Sequence, residues 1–422
     1  MKTLRALALL LTLATPPLAA FETISADETL SGGSMGEFGL RVAVDGALAA
    51  VLSPGDLTIQ LFTFDTSTQG WTVGPTLSPS GAVGLGPAVA VSGLTVFYSV
   101  ITDFGANPPA TQTYEVRAQR LFPSPQVVTL IASPGAAPAA LAAAEDVVLL
   151  GVPRGDGNVQ SHMRVFGYDG STWSQLLQRA AEPFDLGYGS AVATDGTWFA
   201  VGDPAEGDNG AVEILIRQPG GGVGYVNTIV YENPLQSGAR FGASVAVDED
   251  CLVVGAPGYN RGFIPPTPDT GAIVSYGLNQ FGLWTPQETV VPEGALEDDA
   301  WGDSLSLAGA NLVLGGQDVQ RLNANPQGDA ALFRRSGTSC AEGSWSEYAR
   351  LRATPLVIDP DAPADFGAAV AIDELSGVLV GDPMGPTGEG DGRAYAYSAS
   401  LLVLFTDGFE TGDLSQWSAS VP

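Results

Sequence analysis

Apolar residues run consecutively along this chain, in short blocks separated by Gly, Asp and Pro. The spacing is not the i, i+3, i+4 of an amphipathic helix. Short blocks rich in Val, Leu and Ile, bounded by turn residues, predict strands buried on both faces. Residues 241–258, FGASVAVDEDCLVVGAPG, show the unit: an apolar run, an acidic turn at Asp248-Glu249-Asp250, and a second apolar run. Two such runs joined by a tight polar turn predict a β-hairpin.

The hairpin recurs from Phe38, Leu85, Ala137, Tyr188, Phe241, Trp301 and Phe366, at spacings of 47 to 65 residues. The next residue is Gly in every copy except the third, which has Pro138. Five residues after each start stands a small side chain: Ala43, Ala90, Ala142, Ala193, Ala246, Ser306 and Ala371. A small residue at one register predicts a crowded place, such as the innermost strand of a wedge-shaped blade. Third strands follow, as in GAVEILIRQ at 210–218, and fourth strands open on Trp71, Trp173, Trp284 and Trp345, which read as packing anchors. Four strands per unit, repeated seven times, predict an all-β fold: a seven-bladed β-propeller of four-stranded antiparallel blades. The segment FETISADETL at 21–30 is similar to QETVV in a fourth strand. The N-terminal strand is therefore expected to complete the last blade and close the ring.

Three regions follow. Residues 1–20 read as a signal peptide: Lys2 and Arg5, the apolar ALALLLTLAT, then PPLAA with cleavage after Ala20. Residues 21–400 form the propeller. Residues 401–422 leave the repeat and carry DGFETGDLSQWS, which resembles a short ending of exported proteins of Gram-negative bacteria and would imply a sorting or surface tag. The expected location is secreted, at the cell surface, or in the periplasm. Net charge is −29 and the only lysine is Lys2, so a nucleic-acid partner is not expected. No run after the leader is long enough to span a bilayer as a helix, so membrane insertion is not expected. A monomer is expected. Cys251 and Cys340 could form one bridge, since both fall toward the face of the 1–2 and 3–4 turns in adjacent blades, or could remain free.

FGASVAVDEDCLVVGAP, YGSAVATDGTWFAVGDP and FGAAVAIDELSGVLVGDP resemble FG-GAP repeats, the units of the integrin α-chain propeller head and of many exported bacterial proteins. The likeness spans about residues 38–400. It implies a binding or adhesion module without catalysis. It also implies calcium in an inter-strand loop of Asp-x-Asp/Asn-x-Asp-Gly spacing. Here the turns at Asp45-Gly46, Asp195-Gly196 and Asp248–Asp250 are too short to wrap six or more oxygens around a cation. Calcium is left to the acidic 2–3 loops, where Asp203, Glu206 and Asp208, or Asp382, Glu389 and Asp391, could converge; a solvated loop is the plainer reading.

Catalytic residues are not assigned. His162 is the single histidine and reads as structural or exposed. The 2–3 loop of blade five, at 255–271, is the longest of its class, and Tyr259, Arg261, Phe263 and Ile264 make it the first choice for contact with a protein or glycan ligand. The alternatives are a carbohydrate-active hydrolase or lyase using loop carboxylates, or a passive structural surface protein.

Overall fold

The computed structural model describes residues 22–31, 37–105, 112–122, 124–134, 138–153, 160–182, 185–232, 237–262, 268–316, 318–319, 328–352, 365–385, 392–399 and 402. Seven sheets follow one another: blade 1 at 42–77, blade 2 at 84–134, blade 3 at 140–180, blade 4 at 191–230, blade 5 at 244–290, blade 6 at 304–352 and blade 7 at 369–397. Within blades 1 to 5 the strands lie in chain order and pair antiparallel. The first strands surround one central channel. The protein is a seven-bladed β-propeller. We call the face bearing the 2–3 and 4–1 loops the upper face, and the face bearing the 1–2 and 3–4 turns the lower face.

Closure uses two N-terminal strands. β2 (Glu28–Ser31) pairs antiparallel with Arg393–Tyr397 and supplies the fourth strand of blade 7, as the sequence predicts. β1 (Glu22–Ser25) instead pairs parallel with the outer strand of blade 6, making that sheet five-stranded. The sequence reading placed a single strand here. A parallel partner is added through backbone amides and carbonyls alone, so it leaves little trace in side-chain pattern. Between the two strands, the Asp27 carboxylate accepts the Ser398 amide at 2.6 Å. Glu28 accepts the Trp71 amide of blade 1 at 3.2 Å. Glu288 of blade 5 treats Trp345 of blade 6 the same way, at 2.9 Å. The shared Glu-Thr pair thus marks an acid that holds the outer strand of the next blade.

The repeat is an inter-blade device. The Gly242 amide donates to the Gly255 carbonyl at 3.0 Å. A Cβ on Gly242, where φ is +94°, would lie 2.4 Å from the Ala211 carbonyl oxygen of blade 4. A Cβ on Gly202, in strand two of blade 4, would lie 2.0 Å from the Gly242 oxygen. At five of the seven seams one glycine of the motif therefore faces one glycine of the neighbouring blade, and any side chain there would push the blades apart. The preceding aromatics, Phe38, Phe241, Trp301 and Phe366, are buried in the seams. The small residues also sit between blades: Ala193 of blade 4 packs with Val245 and Val247 of blade 5. Small against large is how inner strands interdigitate without voids.

The lower turns carry a second set of bonds. Asp195 Oδ1 accepts its own turn amides, Thr197 at 2.8 Å and Trp198 at 2.7 Å, and its Oδ2 accepts Glu249 of blade 5 at 3.0 Å. Asp373 does the same with Leu375 and Ser376, and with Gly46 of blade 1 at 2.9 Å. Asp45 reaches Gly93, and Asp248 reaches Gly309 at 2.6 Å. These aspartates link turn to turn around the ring. Cys251 and Cys340 form a disulfide between blades 5 and 6, with Cα atoms 5.1 Å apart. Asp250 reinforces that seam by accepting the Cys340 amide at 3.0 Å.

Two of the fourth-strand tryptophans, Trp284 and Trp345, are buried anchors, and Trp71 and Trp173 are partly exposed. Trp198 and Trp284 meet edge to face across blades 4 and 5 at 5.3 Å, and Trp345 is buried beside the disulfide.

Candidate functional site: the upper mouth of the channel

Each first strand enters the ring from the upper face, so the second to fourth residues after each repeat start line the top of the channel. They enclose about 490 Å³. All seven blades contribute small or aliphatic groups, among them Pro87, Ala88, Ala140, Ser190, Ala243 and Ala368. Among the described residues, the only charged side chains lining this space are Arg41 of blade 1 and Asp303 of blade 6.

Both are positioned by the repeat itself. Arg41 follows Gly39-Leu40, and its Nη1 donates to the Leu40 carbonyl at 2.8 Å. Crowding by the surrounding strands desolvates the guanidinium and lowers its pKa, against which the Asp303 charge pulls it back up. It stays protonated, since a guanidinium has far to fall before it titrates near neutrality. Asp303 follows Gly302 and also faces Arg240 of the blade 4–5 connection at 3.5 Å. Asp318, in the 2–3 loop of blade 6, has its pKa raised by desolvation and then by Asp303. Asp365, just before blade 7, is raised by desolvation and then by Asp318. Electrostatic coupling thus links two arginines and three carboxylates from five stretches of chain on the upper face. None of this grouping was read from the sequence. The cue that existed was local: Arg41 and Asp303 are the charged residues at registers that other blades fill with Ala, Ser, Pro or Leu.

The predicted site residues are dispersed. Tyr259 is half-buried against the core shared by blades 4 and 5, and its carbonyl accepts the Gly271 amide at 3.1 Å. That carbonyl braces the loop. Arg261 is exposed. Phe263 and Ile264 lie outside the described residues. His162 is buried, its Nδ1 3.0 Å from the Gln160 carbonyl, and desolvation lowers its pKa.

Of the acidic loops, Asp203 and Glu206 come together, and Asp185 joins them, with one oxygen of each within 4.8 Å of the others. Asp208 is exposed and outside this group. Asp203 is buried, and desolvation followed by the Asp185 carboxyl raises its pKa to about 8. Three carboxylates at this spacing suit a hard cation through oxygen. The Asp185 Oδ1 already accepts the Gly187 and Tyr188 amides at 2.9 and 3.2 Å. Asp382 is buried and builds its own corner, accepting the Asp365 and Gly385 amides at 3.2 and 3.0 Å. Glu389 and Asp391 lie outside the described residues.

No protein-family model matches the chain, and no curated protein matches it. Similar solved structures include a protein from Lactobacillus plantarum, 13% identical, aligned over 76% of this chain and 88% of the other with a TM-score of 0.48. A candidate 6-phosphogluconolactonase from Bacteroides uniformis is 13% identical over 78% of this chain and 89% of its own, with a TM-score of 0.44. One from Bacteroides fragilis is 12% identical over 78% and 88%, also at 0.44.

Proposed function

We propose that this chain is an exported propeller of the FG-GAP type that works as a binding module, seating a protein or glycan ligand at the upper mouth of its channel. The observation that carries this reading is the presence of two opposite charges, Arg41 and Asp303, at that rim. Arg41 is exposed there, so its guanidinium is open to a ligand. The blades are already joined by glycine contacts, turn aspartates and a disulfide, so the fold does not need this pair. Convergent polar groups at the mouth of a largely apolar cavity are how a protein fixes a ligand's orientation. The exposed Arg261 extends the contact surface on the same face.

Glycan and protein arrays probed with the whole protein test this. Arg41→Ala and Asp303→Asn should each remove the array signal while leaving the unfolding midpoint in place. A signal that survives both substitutions overturns the reading.

One observation favours the enzymatic alternative. Asp318 and Asp365 hold their protons more tightly than ordinary carboxyls, as a general acid in glycoside cleavage must. Release of reducing ends from a polysaccharide, lost in Asp318→Asn or Asp365→Asn, would select that reading over simple binding.

A further inference from the structure

A second cavity, of about 410 Å³, opens between blades 2 and 3 on the lower side of the ring, away from the channel mouth. Strand register explains its walls. In blade 2, Thr95 pairs with Arg120 and Arg120 with Gln126; two residues further in, Phe97 pairs with Ala118. Paired residues share a face of the sheet, so these form two rows on one wall. Blade 3 supplies the opposite wall from Tyr168 and Trp173, with Glu145 at the rim. Trp173 stands edge to face with Phe97 at 5.3 Å and tilted against Tyr168 at 5.2 Å.

Two other seams give the contrast. Blade 4 carries Trp198, Ile214 and Ile216 at the registers of Thr95, Ala118 and Arg120, and they pack with Trp284 of blade 5 into a closed apolar core. At the blade 5–6 seam, Cys251 stands at the Thr95 register, bridged to Cys340 beside Trp345. One seam is plugged by an indole and one by a disulfide. At the blade 2–3 seam the plug is a threonine, the centre is Phe97 beside Ala118, and the rim is an arginine. Neither the Arg120 guanidinium nor the Gln126 amide has an intramolecular partner among the described residues, and both are exposed at the rim.

We infer that this cleft is a binding site for a neutral hexopyranose unit of a glycan. The lining sets three conditions on its occupant. Aromatic surface requires an apolar face. Planar donors and acceptors at the rim, Arg120, Gln126 and Glu145, require an edge rich in hydroxyls. One positive and one negative group at the rim favour a ligand without net charge. A pyranose ring meets all three, with C–H groups on its face and hydroxyls around its edge. The volume lies within the range of roughly 300–1,000 Å³ common for small-molecule pockets.

The test is ligand-observed NMR and tryptophan-fluorescence titration of the whole protein with glucose, galactose, mannose and their disaccharides. At least one should bind with Kd of about 1 mM or tighter. Arg120→Ala, which removes an exposed rim group, should weaken it about tenfold, the loss of one charge-assisted hydrogen bond. Thr95→Trp places in blade 2 the side chain that blade 4 already accommodates, and should abolish binding while the unfolding midpoint holds or rises. No binding by any of these sugars overturns the proposal, as does binding that survives Thr95→Trp. Binding of an aromatic-rich peptide in place of sugars, blocked by Thr95→Trp, overturns the ligand assignment.

Discussion

Removing the Cys251–Cys340 bridge should lower the unfolding free energy by about 4.6 kcal/mol, the chain-entropy value for a closed loop of 89 residues. The perturbation is the double variant Cys251→Ala/Cys340→Ala, which leaves no thiols and no buried hydroxyls. Both residues are only 1% exposed, so a reductant reaches the sulfurs after the seam opens. Reduction under native conditions should therefore be slow and should quicken as denaturant is raised. The variant should still fold, because Asp248, Asp250 and the Gly255–Gly302 contact join the same two blades. The assay is equilibrium urea unfolding of wild type and variant, with non-reducing peptide mapping to confirm the bridge. A matching drop in midpoint at unchanged slope supports the calculation. Equal midpoints would refute it and place the constraint on the unfolded chain elsewhere.

Leu30→Ala, in the closing strand at 5% exposure, should cost about 2–5 kcal/mol and exceed the cost of Ile24→Ala in the partly buried outer strand; the reverse order in urea unfolding would make β1 the true clasp. Asp373→Ala removes the acceptor for two turn amides and for Gly46 of the next blade, and should cost about 1–3 kcal/mol by the same measurement. The Asp203 carboxyl is raised from 3.8 to about 8, so the folded state holds that proton more tightly than the unfolded state; its contribution is full below about pH 4 and declines as pH rises toward 8. Asp203→Asn should therefore flatten the pH–stability curve over that window and stabilise the protein at its alkaline end, and an unchanged curve would show that the pair ionises freely.

The propeller was legible because its information is local and repeated. A hairpin with Gly at one register and Ala at another, written seven times, needs no long-range pairing to be seen. The closure by β2 was legible for the same reason, through its Glu-Thr likeness to another fourth strand. What escaped is what depends on two distant stretches meeting. The turn aspartates read as ordinary turn formers, yet their second oxygens bond the neighbouring blade. Asp185 was missed because it lies in a 4–1 connection, outside the loop that holds Asp203 and Glu206. The charged mouth and the blade 2–3 cleft were both written as departures from the repeat: Arg41 and Asp303 where other blades are small or apolar, Thr95 and Arg120 where blade 4 has Trp and Ile.

The use of residues 22–31 to complete blades 6 and 7 sets the order of synthesis against the order of assembly. Asp27 meets Ser398, 371 residues later in the chain. At translation rates of roughly 5–20 residues per second, the first strands made wait roughly 20–70 s before their partners exist. During that time the nascent chain carries unpaired strand edges at both ends of an open ring. The propeller can therefore mature only after the last blade is released. Any factor that delivers the chain must keep its leading segment from pairing with the wrong sheet until then.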